Sequence, residues 1–127
     1  MPNLEIEEFA KTLVQQVRDA AIKSCDGALR PNAAYPVAKR WTEAGDGGNL
    51  QLIAGVVIPD AVDETVFHLL RAIDQGLLKL SFTASNGKEV DLAADGLGEL
   101  SGWYMGSGGW RALYSKERFF DDFSDLV

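Results

Sequence analysis

Few residues of this chain have a type and spacing that could do chemistry, and each has a plainer reading beside it. His68, the one histidine, follows Glu64 by four residues on a helical pattern. A carboxylate one turn back can hold an imidazole as a general base. His68 nevertheless falls off the apolar stripe Val62, Val66, Leu69, Leu70 and Ile73, so the pair reads as a solvated helix surface. Cys25 ends the first helical pattern beside Asp26. A reactive thiolate needs a helix N-terminus or a nearby cation instead, and Cys25 reads as a packed thiol. Asp121 and Asp122 are adjacent, and neighbours on a helix do not face each other. Gly106-Ser107-Gly108-Gly109 has the small residues of a phosphate cradle, but such loops draw on a following helix N-terminus and usually a lysine. Here the sequence led by Trp110 reads as a strand. Gly96-Leu97-Gly98 is a weaker match still. A metal site needs more His or Cys than one of each. The expectation is no catalytic residue, no metal ligand and no cofactor.

What remains is a surface. Seven of the twelve aromatic residues fall within 103–123: Trp103, Tyr104, Trp110, Tyr114, Phe119, Phe120 and Phe123. Trp, Tyr and Arg dominate interface hot spots, and the same residues also make good core and cross-strand pairs. The candidate binding residues are therefore Trp103, Tyr104, Trp110 and Arg111, set around the small-residue tip 106–109. In a strand over 110–114, Trp110, Ala112 and Tyr114 share one face, which turns Arg111 outward beside whatever the tip contacts.

Composition narrows the class of function. Nineteen acidic and twelve basic residues leave a net charge of −7, with no compensating basic stripe. Such a field repels a phosphate backbone, which disfavours nucleic acid, and favours encounter with a basic protein. The N-terminus lacks the basic start and apolar run of a signal peptide. The longest apolar run, 52–59, is far short of a membrane span. No membrane partner and a cytoplasmic location follow as expectations. A chain of 127 residues with 46% apolar content is read as a single domain over 1–127 that folds without staples.

The elements that must position the aromatic segment are read in order. Residues 4–25 form a helix, capped by Asn3, whose stripe is Ile6, Phe9, Ala10, Leu13, Val14, Val17, Ala20 and Ala21. Ile22 lies off that stripe and suggests a second contact. Pro36 opens a short helix to residue 44. Residues 50–58, apolar on both faces and β-branched near the end, read as a buried strand; a helix is the competing reading. Asp60 caps a helix over 61–75, which Gly76 ends. Strands over 77–84 and 88–93 form a hairpin. A three-residue loop, Ser85-Asn86-Gly87, opposes Phe82 to Val90 and keeps one face apolar, whereas a two-residue Asn86-Gly87 turn mixes core and solvent. Strands over 100–105 and 110–114 follow, and Ser115 caps a last helix over 116–126 that docks Phe119, Phe120, Phe123 and Leu126.

The expected fold is α+β: a mostly antiparallel sheet of about five strands (50–58, 77–84, 88–93, 100–105, 110–114) covered by helices 4–25, 61–75 and 116–126. The expected function is a non-enzymatic protein-binding module with a basic partner, monomeric or homodimeric. Its size and charge suit inhibitor or immunity-type proteins that cap a basic toxin, on general properties alone. One alternative is a small-molecule binder or enzyme with a pocket near 102–114. Another is a homodimeric structural protein using Ile22 or Phe67.

Overall fold

The computed structural model describes residues 3–30, 32–45 and 48–122. Its N-terminal helix opens where the sequence places it: the Ile6 N–H donates to Asn3 Oδ1 at 2.8 Å. Helix α1 (Leu4–Thr12) runs without a break through a π-helical segment, Leu13–Arg18, into α2 (Asp19–Ala28). The π segment changes which face is buried. Ile6, Ala10, Val14, Arg18 and Ile22, four residues apart, all turn inward. At about 100° per residue an α-helix would rotate such a series by about 40° per step; the wider π turn absorbs that drift. Val17, expected in the stripe, is 50% exposed, and Ile22, expected off it, is fully buried.

After α3 (Pro36–Ala44), which starts on its proline as expected, comes the largest departure. Residues 50–58 are not a strand. They belong to a 27-residue helix, α4 (Gly48–Asp74), which carries Pro59 inside it and absorbs the helix expected over 61–75. Asp60 is consequently not an N-cap. Burial follows a helical period through Ala54, Ile58, Val66, Leu70 and Ile73, while Val56 and Val57 stay half exposed. Proline has no N–H to give the carbonyl four residues back. That carbonyl is Gly55, and it accepts instead from Arg118 Nε at 3.1 Å. A side chain distant in sequence thus relieves the break that proline would otherwise cause. Gly76 ends the helix in a left-handed conformation (φ +75°), with Leu77 N–H returning to the Ala72 carbonyl at 2.9 Å.

Among the described residues the sheet is a single two-stranded ribbon, β1 (Ser81–Thr83) and β2 (Glu89–Asp91). The five-stranded sheet is therefore overturned, and the hairpin strands are shorter than 77–84 and 88–93. Its register is the expected one, with Phe82 opposite Val90 and Gly87 at φ +85° closing the loop. Asp91 then caps the single turn α5 (Leu92–Asp95) through the Ala93 N–H at 3.0 Å.

Segments 100–105 and 110–114 are short helices, α6 (Leu100–Met105) and α7 (Trp110–Tyr114), not strands. For α6 a partner outside the segment contributes. Asp74, at the end of α4, accepts the Leu100 and Ser101 N–H groups, each at 2.9 Å, and so caps α6 from a distance. Residues 115–122 are not helical, so Ser115 is not an N-cap: it is the C-cap of α7, and its Oγ accepts the Glu117 N–H at 3.0 Å; Phe123 and Leu126 of the expected last helix lie outside the described residues.

Two apolar clusters share Val62 at their border. One joins α1 to the α4 C-terminal half, the hairpin, α6 and α7, around Ile6, Val14, Leu70, Leu100 and Trp110. The other packs Ile22 against Ala54 and Ile58, with Trp41 of α3 alongside.

Candidate functional site

The structure separates the four predicted binding residues into two places. Tyr104 (0% exposed), Trp110 and Arg111 (each 3% exposed) point into the protein, and Trp103 lines an open groove that Trp110 borders from the core. In the helical conformation Arg111 shares the inward side with Trp110, which corrects the expectation that it faces out.

The interior place is an ionic network centred on Asp63 of α4. Its Oδ1 accepts from Arg18 Nε at 2.7 Å and from the Tyr104 hydroxyl at 2.5 Å. Its Oδ2 accepts from Arg111 Nη1 at 2.8 Å and Arg18 Nη2 at 3.3 Å. Arg18 also reaches Asp19 Oδ1, Ser115 Oγ and the Arg118 carbonyl, which ties the π segment to the chain after α7. Arg111 donates to the Met105 carbonyl and packs its guanidinium over Phe119, 5.0 Å from the ring centre. Burial raises the Asp63 pKa, but the hydrogen bonds from Arg18, Tyr104 and Arg111 outweigh it and hold the carboxyl below its usual range. Burial, with the Asp63 carboxylate next to it, pushes the Tyr104 phenol well above its usual value.

This constellation has the residue types of an active site and the connectivity of a structural brace. Both Asp63 oxygens already accept two hydrogen bonds, and Arg18, Asp63, Tyr104 and Arg111 are each at most 3% exposed. An incoming substrate would find no free lone pair on the carboxylate and no wetted face. Arg111 Nε is buried without a hydrogen-bond partner among the described residues.

The exterior place is a groove of about 450 Å³ between α1, α6 and α7, lined by Glu7, Trp103, Trp110, Leu113, Tyr114 and the tip 106–109. The Trp103 and Trp110 rings stand 6.1 Å apart at 41°. Phe9 meets Trp110 edge-on from the core side and steadies it. The glycines allow the tight link between the helices: a Cβ on Gly109 would fall 2.2 Å from the Trp103 carbonyl, and Gly108 is left-handed (φ +68°). Ser107 Oγ at the tip donates to Asp121 at 3.2 Å. Burial and the nearby Glu7 carboxylate together push the Tyr114 phenol up.

No protein-family model matches the chain, and no curated protein or solved structure matches it either. Among the described residues no helix is long and apolar enough to cross a membrane.

The other sequence candidates stay isolated. His68 is two-thirds exposed and 3.6 Å from Glu64, in the solvated pairing expected of it. Cys25 is half-buried, its thiol pushed up by burial and by Asp26. Ile22 is wholly internal and so offers no outer surface. Arg18, Asp63 and Glu7 were missed in the sequence. Asp63 lies seven residues before Leu70, on the apolar stripe of its helix, and Arg18 lies midway between Val14 and Ile22. A charged residue at a core position was the available sign in each case.

Proposed function

We propose that this chain is a non-enzymatic protein-binding module that receives a basic segment of a partner in the groove between α1, α6 and α7. The observation that supports this reading most directly is the groove itself. It is lined by Trp103, Leu113, Tyr114 and the nearly buried Trp110, carries Glu7, and has no basic residue among its described lining. Aromatic side chains held by a folded frame supply contact area at low entropic cost, as interface anchors do. The net charge of −7 adds long-range attraction for a cationic partner. Among the described residues, the cluster with catalytic residue types is committed to bracing the fold.

The test is a titration of the isotope-labelled chain with a lysine- and arginine-rich peptide, beside an acidic peptide of equal length. Binding of the basic peptide alone, weakened by salt and by Trp103→Ala, is the expected result. If neither peptide binds at low salt, or the two bind alike, the reading fails.

A further inference from the structure

We infer that the free edge of β1 is a self-association surface, on which a second copy of this chain adds its own β1 antiparallel, in a register centred on Ser81. This surface is built from the hairpin and is independent of the groove. The direction of its backbone groups follows from the ladder. The Leu92 N–H donates to the Leu80 carbonyl at 3.0 Å, and the Ala84 N–H to the Lys88 carbonyl at 2.8 Å. Leu80 and Ala84 therefore turn their backbone groups towards β2, as Phe82 does opposite Val90. Inward and outward positions alternate along an antiparallel pair, so Ser81 and Thr83 present N–H and C=O away from β2. Among the described residues nothing pairs with those groups. No proline, bulge or charged side chain within Ser81–Thr83 blunts the edge. Lys79, Ser81 and Thr83 are exposed, and Leu78 and Leu80 beside them stay half exposed. A row of open donors and acceptors flanked by apolar side chains is what an added strand covers.

The edge is complementary to itself. Pairing about Ser81 sets Ser81 against Ser81 and Lys79 against Thr83, so outward groups of one copy meet outward groups of the other. Leu80 then lies opposite Phe82 of the second copy, and Leu78 opposite Ala84, which keeps one face of the joined sheet apolar. It is the face that Phe9 of α1 covers at Phe82. On the other face Lys79 arrives beside Thr83, whose neighbour on β2 is Glu89. Lys79 shares that face with Ser81, Glu89 and Asp91, which together line one shallow surface. Among the described residues the hairpin's own ion pair is Lys88 to Glu5, which leaves Lys79 and Glu89 to a second copy. A two-fold axis at Ser81 makes each of these contacts twice. The neighbouring register, centred on Phe82, would set Lys79 against Ser85, whose N–H the Glu8 carboxylate already takes at 2.9 Å.

The experiment is sedimentation equilibrium of the full chain from about 10 µM to 1 mM, the range in which a small interface associates, with amide hydrogen exchange measured at both ends. A dimer is expected to form with concentration, and the Ser81 and Thr83 amides to be protected in the dimer alone. Ser81→Pro removes an outward N–H and leaves the bonds to β2 in place; it is expected to hold the chain monomeric. Lys79→Glu, at an exposed position, is expected to weaken the dimer by about tenfold, because both symmetric charge pairs become repulsive, and adding Glu89→Lys is expected to restore it. A chain that stays monomeric throughout, or a dimer whose Ser81 and Thr83 amides exchange as fast as in the monomer, overturns the edge. A dimer that Lys79→Glu leaves unchanged overturns the register.

Discussion

Arg118 Nε donates to the Gly55 carbonyl at 3.1 Å, and that carbonyl is the acceptor Pro59 leaves without an intrahelical donor. The same guanidinium forks onto Asp26, at 2.8 and 3.0 Å, so one side chain joins α2, the kink-prone point of α4 and the chain after α7. The ion pair is over a third exposed on both sides and contributes little once screened; the hydrogen bond to Gly55 is the larger part. Arg118→Ala is expected to destabilise the protein by about 1 kcal/mol. In a Pro59→Ala background, where an N–H again serves Gly55, the same substitution should cost less. Denaturant melts of the four-member cycle measure that coupling; strict additivity would remove Pro59 from the explanation.

The Asp63 network predicts a pH dependence on both sides of neutrality. The folded carboxyl titrates below the unfolded value of about 3.9, so its contribution is present above that pH and is lost as pH falls below it. Tyr104 has the opposite sense. Its folded phenol titrates above the unfolded value of about 10, so stability falls as pH rises past that value and the unfolded chain ionises first. Tyr104→Phe should cost about 1–2 kcal/mol at neutral pH and reduce the alkaline slope, to which Tyr114 and Cys25 also contribute. Asp63→Asn, which leaves Arg18 and Arg111 buried without their carboxylate, should cost about 3–5 kcal/mol. Thermal melts across pH read all three outcomes.

The π segment makes a paired prediction that an uninterrupted helix would reverse. Val17 is half exposed, so Val17→Lys should change stability by under about 0.5 kcal/mol. Ile22 packs on Ala54 and Ile58, so Ile22→Ala should cost about 2–4 kcal/mol. A destabilising Val17→Lys beside a harmless Ile22→Ala would place the inward face where regular α-helical spacing puts it. Chemical denaturation of both variants decides between the two faces.

Two glycines seven residues apart on the groove should respond oppositely to alanine. Gly102, inside α6, has open space around the position of a Cβ; Gly102→Ala should stabilise the protein by about 0.5–1 kcal/mol. At Gly109 the added atom would collide with the Trp103 and Gly106 carbonyls at 2.2 and 2.8 Å. That backbone must move, and Gly109→Ala should lower the melting temperature, shift the Trp103 and Trp110 indole signals, and weaken the basic-peptide binding proposed for the groove.

Local sequence determined what local physics controls. Asn3 capping α1, Pro36 opening α3, Gly76 ending α4 and the Phe82–Val90 register each depend on a few adjacent residues, and each was legible. Trp103 and Trp110 do meet beside the small-residue tip, 6.1 Å between ring centres, but neither their helical frame nor the burial of Trp110 was legible. The tertiary structure decided the rest through partners distant in the chain. Asp74 caps α6 across 26 residues of sequence, and Arg118 serves Gly55 across 63, so segments that read as strands become helices. The interior network followed the same logic. Arg18 and Asp63, 45 residues apart, are tolerable inside the core only because each neutralises the other, and no pattern within either helix states that they meet.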